Sequence, residues 1–180
     1  MLVVLILIGV GMIVLLQTKD SFFNLTGTPR LGKGMAAPDF SLPDVDGKMT
    51  NLTDYKGKVI FLNIWATWCP PCVQEMPSME KLYRELKDEG LEILAVSIDA
   101  SGGEAVIPFM KKYGLSFPAL LDTTGSIKNL YQTTGVPETF IIDKDGIIAE
   151  KIIGPREWAI PEARVLQQVV DSIVVVWKRY

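Results

Sequence analysis

The stretch VIFLNIWATWCPPCVQEM, residues 59–76, decides the fold of this chain. Its first seven residues are a nearly continuous apolar run with β-branched and aromatic side chains, which is typical of a buried central strand. From Cys72 onward apolar residues recur at helical spacing, and Gly90 ends the pattern. Cys69 and Cys72 lie at the junction, and a Cys-x-x-Cys pair between a strand and a helix indicates a dithiol/disulfide redox centre.

The two cysteines occupy positions that favour different roles. A thiolate, not a thiol, attacks a disulfide. Cys69 lies where the helix begins, so backbone N–H groups and the positive end of the helix dipole favour its thiolate. Cys72 lies one turn further along, where it can attack a mixed disulfide on Cys69. We therefore predict that Cys69 is the exposed nucleophile and Cys72 the buried resolving thiol, while Pro70 and Pro71 stiffen the loop and remove two N–H donors.

Other uses of a cysteine pair fit the composition poorly. The 180 residues contain two cysteines and no histidine, whereas a structural zinc site needs four ligands, usually Cys or His. Attachment of c-type haem needs a histidine after the second cysteine, and Val73 stands there. A structural disulfide across so short a loop would stabilise little. The net charge of −3 leaves no basic footprint for nucleic acid. We predict no metal and no cofactor.

Further periodic segments surround this centre and predict an α/β layer with a mixed sheet. A turn at Asp46-Gly47 indicates a small hairpin within residues 40–55. The remaining predicted elements are a strand at 91–98, helices at 104–113 and 126–131, paired strands at 139–143 and 147–153, and a last segment at 161–180 that fits a helix better than a strand.

The N-terminus carries an apolar run at residues 1–16, which Gln17 and Thr18 extend. A membrane span needs roughly 20 apolar residues, with a lower limit near 17. We predict a transmembrane signal anchor at 1–18, a linker at 19–35 and a globular domain at 36–180. A cleaved signal peptide and a buried core helix are the alternatives. The basic residues Lys19, Arg30 and Lys33 follow the run rather than precede it, which by the positive-inside rule opposes an outward-facing domain.

Three segments in order resemble the thioredoxin superfamily, and most closely its membrane-anchored TlpA/ResA/DsbE-like branch. They are FLNIWATWCPPC at 61–72, APDFSL at 37–42 and GVPETFIID at 135–143. The resemblance covers about residues 36–158. It implies a thioredoxin fold with a mixed central sheet, an extra N-terminal β-hairpin and a central helical insert between residues 99 and 135.

The resemblance also implies how partner chains meet the site. It implies that Pro137 follows a cis peptide bond and packs beside the disulfide, with Val136 offering backbone groups to a partner. Trp68, Pro70 and Pro71 are then expected to line the docking surface, while Trp65 belongs to the core.

Three polar residues bear on how protons are expected to reach and leave the cysteines. Asn63 stands where ordinary thioredoxins have a buried aspartate, so a relay through an acid at that position is lost. Glu75 resembles the acid that this branch keeps near the resolving thiol, and Glu138, directly after Pro137, resembles the acid of its DsbE-like members. We predict that these carboxylates tune Cys72 and accept or return its proton. The alternative is that Glu75 is a solvated helix residue and that Glu138 has an equally plain role.

The function that the resemblance implies is an extracytoplasmic thiol–disulfide oxidoreductase on a bacterial cell membrane. It would take electrons from a membrane thiol donor and reduce oxidised protein substrates, with apocytochrome c the leading candidate and a sporulation-type or general reductase next. An oxidant role is the reverse possibility.

Two other functions remain as alternatives. A peroxiredoxin-like peroxidase is suggested by residues 37–40. It would require the pattern Pro-x-x-x-Thr-x-x-Cys, but this chain has Leu62 in place of the proline and Ala66 in place of the threonine. A Cu(I) chaperone would use two thiolates as soft ligands, but the related copper proteins add a histidine.

Overall fold

The computed structural model describes residues 30–158. Within this range no helix is both long and apolar enough to cross a membrane. The anchor predicted at 1–18, most of the linker and the helix predicted at 161–180 lie outside the described residues. The compact unit that includes the described domain begins at Leu31.

The described chain forms seven strands, three α-helices and two short 3-10 turns. The strands are β1 Ser41–Pro43, β2 Met49–Asn51, β3 Val59–Trp65, β4 Leu91–Ser97, β5 Ala119–Leu121, β6 Glu138–Ile142 and β7 Ile148–Ile153. The helices are α1 Pro70–Leu86, α2 Gly103–Tyr113 and α3 Ser126–Leu130, and the 3-10 turns are Leu52–Tyr55 and Lys87–Glu89.

A five-stranded mixed sheet in the order β5-β4-β3-β6-β7 forms the centre of the domain. Strand β3 is parallel to β4 and antiparallel to β6, while β4 is parallel to β5 and β6 is antiparallel to β7. All residues of β3 and β4 are buried, as expected of central strands covered on both faces. The predicted mixed α/β fold is confirmed.

The alternation of side chains along β3 divides the core into two clusters. Phe61 and Trp65 pack on the face that carries Cys72 and Met76 of α1. Ile60, Leu62 and Ile64 pack on the opposite face, in the cluster that includes Tyr131 and Phe140. Helix α1 therefore covers one face of the sheet only.

The predicted N-terminal hairpin is present as the antiparallel pair β1–β2. Its turn is held by Asp44 Oδ1, which accepts from the backbone N–H groups of Asp46 and Lys48 at 2.9 Å each. Gly47 has a φ of +82°, a conformation that favours glycine. Behind the hairpin, the Tyr131 hydroxyl donates to the carbonyl oxygen of Pro38 at 2.6 Å.

Two predicted features differ from the structure, and ordered contacts also extend before the predicted start of the domain at 36. Leu31 is buried, and its N–H donates to Gln132 Oε1 at 2.8 Å. Helix α1 begins at Pro70 rather than at Cys72, since prolines are tolerated in the first turn. The central insert contains strand β5 as well as helices, and three residues are too few to show an alternating pattern.

Candidate active site

The Cys69–Cys72 disulfide lies at the start of α1, directly after the loop that follows β3. Cys69 is the N-cap residue, and its sulfur accepts from the Cys72 N–H at 3.2 Å. Pro70 and Pro71 have no N–H to offer, so the helix start supplies one amide to this sulfur. Cys69 is 4% exposed and Cys72 0%. Cys69 is thus the more accessible of the two cysteines, but it is less exposed than predicted.

The segment before β6 lies against this sulfur. The Val136–Pro137 peptide bond is cis, and Cys69 Sγ lies 3.5 Å from the carbonyl oxygen of Val136. The Gly154 N–H donates to the carbonyl oxygen of Pro137 at 2.9 Å, which ties this segment to the end of β7. Trp68 beside the disulfide is 63% exposed. The cis-proline segment therefore lies against the sulfur of Cys69, and the exposed Trp68 directly precedes this cysteine in the chain.

The loop between β3 and the disulfide is held by Asp99, a residue that no sequence motif marks. Asp99 is 3% exposed and accepts from the N–H and hydroxyl of Thr67, at 2.9 and 2.6 Å. The Ser97 hydroxyl donates to the same carboxylate at 2.7 Å. Charged acceptors make the stronger hydrogen bonds, so Asp99 fixes the backbone two residues before Cys69.

Glu75 and Asn63, both predicted, are buried and hydrogen-bonded to each other. Glu75 lies three residues beyond Cys72 on α1, which places the two on the same side of the helix. Glu75 is 2% exposed and Asn63 0%. Asn63 Nδ2 donates to Glu75 Oε1 at 2.9 Å and to Thr139 Oγ1 at 3.0 Å. The alternative of a solvated Glu75 is therefore wrong.

The other oxygen of Glu75 is bound by the segment that follows β7. Glu75 Oε2 accepts from the Arg156 N–H at 3.2 Å and from Trp158 Nε1 at 3.3 Å. Trp158 is itself buried. Its backbone N–H donates to Ser78 Oγ at 3.0 Å, and its ring packs edge-on against Phe61.

Burial and hydrogen bonding act on Glu75 in opposite directions. Burial raises the pKa of Glu75 above the ordinary value, and the N–H donors from Arg156, Asn63 and Trp158 lower it only in part. One wall of the site opens to a surface cleft of about 250 Å³ between α1 and residues 155–157.

Glu138, also predicted as a proton carrier, lies elsewhere. Thr139 faces Asn63 and α1, so its neighbour Glu138 points to the opposite face of the sheet. Glu138 is fully buried, accepts from the Thr134 N–H at 3.0 Å, and pairs with Lys151 Nζ at 2.8 Å. The structure joins Glu138 to Lys151 and does not join it to the cysteines.

Trp158, Asp99, Thr139 and Lys151 were not anticipated from sequence. The one sequence feature that could have drawn attention to Trp158 is that it is a lone aromatic residue in the polar stretch after the last strand. Residues 30–158 contain no group of three or more His, Cys, Asp or Glu side chains that could hold a metal ion.

A helix-capping disulfide beside a cis-proline, on a mixed five-stranded sheet, defines the class as a thioredoxin-fold enzyme that exchanges a dithiol for a disulfide. A family model described as AhpC/TSA matches residues 34–151. A thiol-disulfide oxidoreductase ResA of Bacillus cereus is 46% identical over 123 residues, which cover 68% of this chain and 70% of that protein.

Two further comparisons agree. ResA of Bacillus subtilis (strain 168) is 37% identical over 148 residues, covering 81% of this chain and 82% of the relative. A solved structure described as the thiol:disulfide interchange protein DsbE of Chlorobium tepidum has a TM-score of 0.70 and 32% identity, covering 79% of this chain and 98% of its own. The chain therefore belongs to the AhpC/TSA family and, within it, to the ResA/DsbE-type thiol–disulfide oxidoreductases.

Proposed function

We propose that the protein is a membrane-anchored, extracytoplasmic reductant of protein disulfides. The observation that carries the proposal is the Cys69–Cys72 disulfide with a buried carboxyl group, Glu75, one helical turn beyond the less accessible sulfur. Such an arrangement suits a dithiol whose second sulfur must lose a proton before it can attack.

The proposed reaction consists of two successive thiol–disulfide exchanges. The Cys69 thiolate attacks one sulfur of the substrate disulfide, and the other substrate sulfur leaves as a thiolate. The Cys72 thiol then passes its proton to Glu75 and attacks Cys69 Sγ, which releases the second substrate sulfur. The substrate gains two electrons, and the enzyme ends as the Cys69–Cys72 disulfide.

Trp68 and Val136 serve the docking of the partner in this proposal. Trp68 presents an aromatic surface beside the disulfide, and Pro70 and Pro71 continue it. The backbone of Val136 lies close to Cys69 Sγ, so a partner strand that pairs with it brings its own disulfide to the attacking sulfur.

The proposed partners follow from the resemblance described above. The substrate is a protein disulfide, with the Cys-x-x-Cys-His segment of apocytochrome c the leading candidate and substrates of a sporulation-type or general reductase next. A membrane thiol donor reduces Cys69–Cys72 again, and residues 1–18 anchor the chain to the bacterial cell membrane with the domain on the outer side.

The direction of electron flow is tested by measuring the reduction potential of the full chain in thiol redox buffers, with tryptophan fluorescence as the readout. A potential near or below about −220 mV, the thioredoxin and glutaredoxin range, supports a reductant. A potential near about −120 mV, the range of strong periplasmic oxidants, overturns this direction.

The substrate is tested by trapping. Cys72→Ser leaves the attacking sulfur in place and removes the resolving one, so it should accumulate a mixed disulfide with an oxidised Cys-x-x-Cys-His peptide. Cys69→Ser is the matched control and should trap none. Equal trapping of an unrelated disulfide peptide would favour a general reductase over an apocytochrome c reductase.

A further inference from the structure

The two oxygens of Glu75 meet partners of different kinds. Oε2 faces the Arg156 N–H and Trp158 Nε1, and both groups can only donate. Oε1 faces the side-chain amide of Asn63, which carries a donor at one end and an acceptor at the other. A proton on Oε2 would therefore meet two donors, so Oε1 is the oxygen that can carry it.

The amide of Asn63 is oriented for the ionised form of Glu75. Both hydrogens of Nδ2 are used, one toward Glu75 Oε1 and one toward Thr139 Oγ1. Asn63 Oδ1 is buried and has no hydrogen-bond partner among the described residues. If Glu75 Oε1 took up a proton with the amide in this orientation, an O–H would face an N–H and find no acceptor.

Rotation of the amide by half a turn removes that conflict. The Asn63 oxygen would then occupy the former position of Nδ2, where it can accept from the Glu75 O–H and from the Thr139 hydroxyl together. The amino group would take the position where the oxygen now lacks a partner. The two orientations thus match the two protonation states of Glu75.

We propose that the side-chain amide of Asn63 turns over when Glu75 Oε1 takes up a proton and turns back when the proton leaves. The inference rests on the proposed function, in which Glu75 exchanges a proton with Cys72. Asn63 is a positioning residue in this scheme, since it supplies a donor to the carboxylate and an acceptor to the carboxylic acid, and never touches the reacting sulfurs.

Few other groups near Glu75 could change the orientation of the Asn63 amide as the pH changes. Asn63 on β3 and Thr139 on β6 are uncharged, and Ser78 is the neutral neighbour on α1. The titratable or charged groups around Glu75 are Cys69 and Cys72 toward the disulfide, and Arg156 and Glu157 on the rim of the cleft. In the disulfide-bonded protein the cysteines do not titrate, so a change at Asn63 reports Glu75.

The test is a pH titration of the oxidised full chain in detergent micelles, with ¹³C in glutamate carboxyls and ¹⁵N in asparagine side chains. The Asn63 amino signal should shift with the same midpoint as the Glu75 carboxyl. Its nuclear Overhauser contact to the Thr139 side chain should be present above the midpoint and lost below it. Asn51, whose amide donates to Asp54 near the surface, is the internal control and should not follow Glu75.

A contact to Thr139 that persists on both sides of the Glu75 midpoint would overturn the proposal. So would a Glu75 carboxyl that does not titrate between about pH 4, the ordinary range of a glutamate, and about pH 9, the upper range of buried ones. The titration needs no partner and no electron transfer, so its outcome is separate from that of the trapping and potential measurements.

Two variants give a second, independent measurement. Asn63→Leu removes a partner from both charge states of Glu75, whereas Trp158→Phe removes a donor from the ionised state alone. The Glu75 midpoint should therefore rise less in Asn63→Leu than in Trp158→Phe. If the amide only ever donates, Asn63→Leu should cause the larger rise, because its bond is 2.9 Å long against 3.3 Å for Trp158.

Discussion

Replacement of Trp158 by phenylalanine should raise the pKa of Glu75 by about one unit. The change removes the Nε1–H that lies 3.3 Å from Glu75 Oε2 and keeps an aromatic ring against Phe61. A hydrogen bond to a charged group contributes about 1.5–3 kcal/mol, and a bond of this length belongs at the lower end. Since one pKa unit corresponds to about 1.4 kcal/mol, the expected rise is about one unit.

The same shift predicts how stability changes with pH. Burial raises the pKa of Glu75 in the folded protein, so the folded state binds this proton more tightly than the unfolded chain does. The stabilisation of the folded state that results is fully present below the unfolded pKa of about 4.3 and is lost as pH rises through the folded pKa. Trp158→Phe should therefore destabilise the protein by about 1.4 kcal/mol more above the folded pKa than below pH 4.

Trp65→Phe is the matched control for this experiment. Trp65 is also fully buried, but its Nε1 has no hydrogen-bond partner among the described residues. Its replacement should change packing by an amount that does not depend on pH.

The assay is denaturant unfolding of the oxidised full chain in mild detergent across this pH range, together with a ¹³C titration of the Glu75 carboxyl. Equal pH dependence in the two variants, or an unchanged Glu75 midpoint in Trp158→Phe, would refute the reasoning.

Three further substitutions test other parts of the site. Trp68→Ala should leave the unfolding midpoint nearly unchanged, within about 0.5 kcal/mol because the ring is exposed, yet raise KM for protein disulfides in steady-state assays. Asp99→Asn weakens the acceptor for Thr67 and should cost about 1–2 kcal/mol and slow thiol–disulfide exchange; an unchanged rate would contradict its role. Lys151→Met leaves Glu138 buried without its cation and should cost about 3–5 kcal/mol in denaturant unfolding, much of which Glu138→Gln should restore.

The redox centre could be predicted because its determinants are local. One stretch of 18 residues contains the apolar run, the cysteine pair and the start of the helix, and the structure places β3, the disulfide and α1 there. The β1–β2 hairpin was predictable for the same reason, since Gly47 and the acceptor Asp44 lie inside its own turn.

Contacts between distant parts of the chain could not be predicted in this way. Trp158 reaches Glu75 across 83 positions, and no periodic pattern links an isolated tryptophan to a helix so far away. The location of Glu138 was missed for another reason. The family resemblance suggested that Glu138 lies near the cysteines, but successive residues of β6 point to opposite faces, and the register of the sheet places Thr139 on the α1 face.

The two prolines of the Cys-x-x-Cys loop have a consequence for what a partner meets at the end of α1. The first turn of most helices presents several backbone donors that need acceptors, but residues 70 and 71 present none, and the Cys72 N–H is already directed at Cys69 Sγ. Pro70 is exposed beside the exposed Trp68. In the proposed mode of docking, an approaching chain therefore meets an apolar rim at the start of α1 and forms its backbone hydrogen bonds on the Val136 side instead.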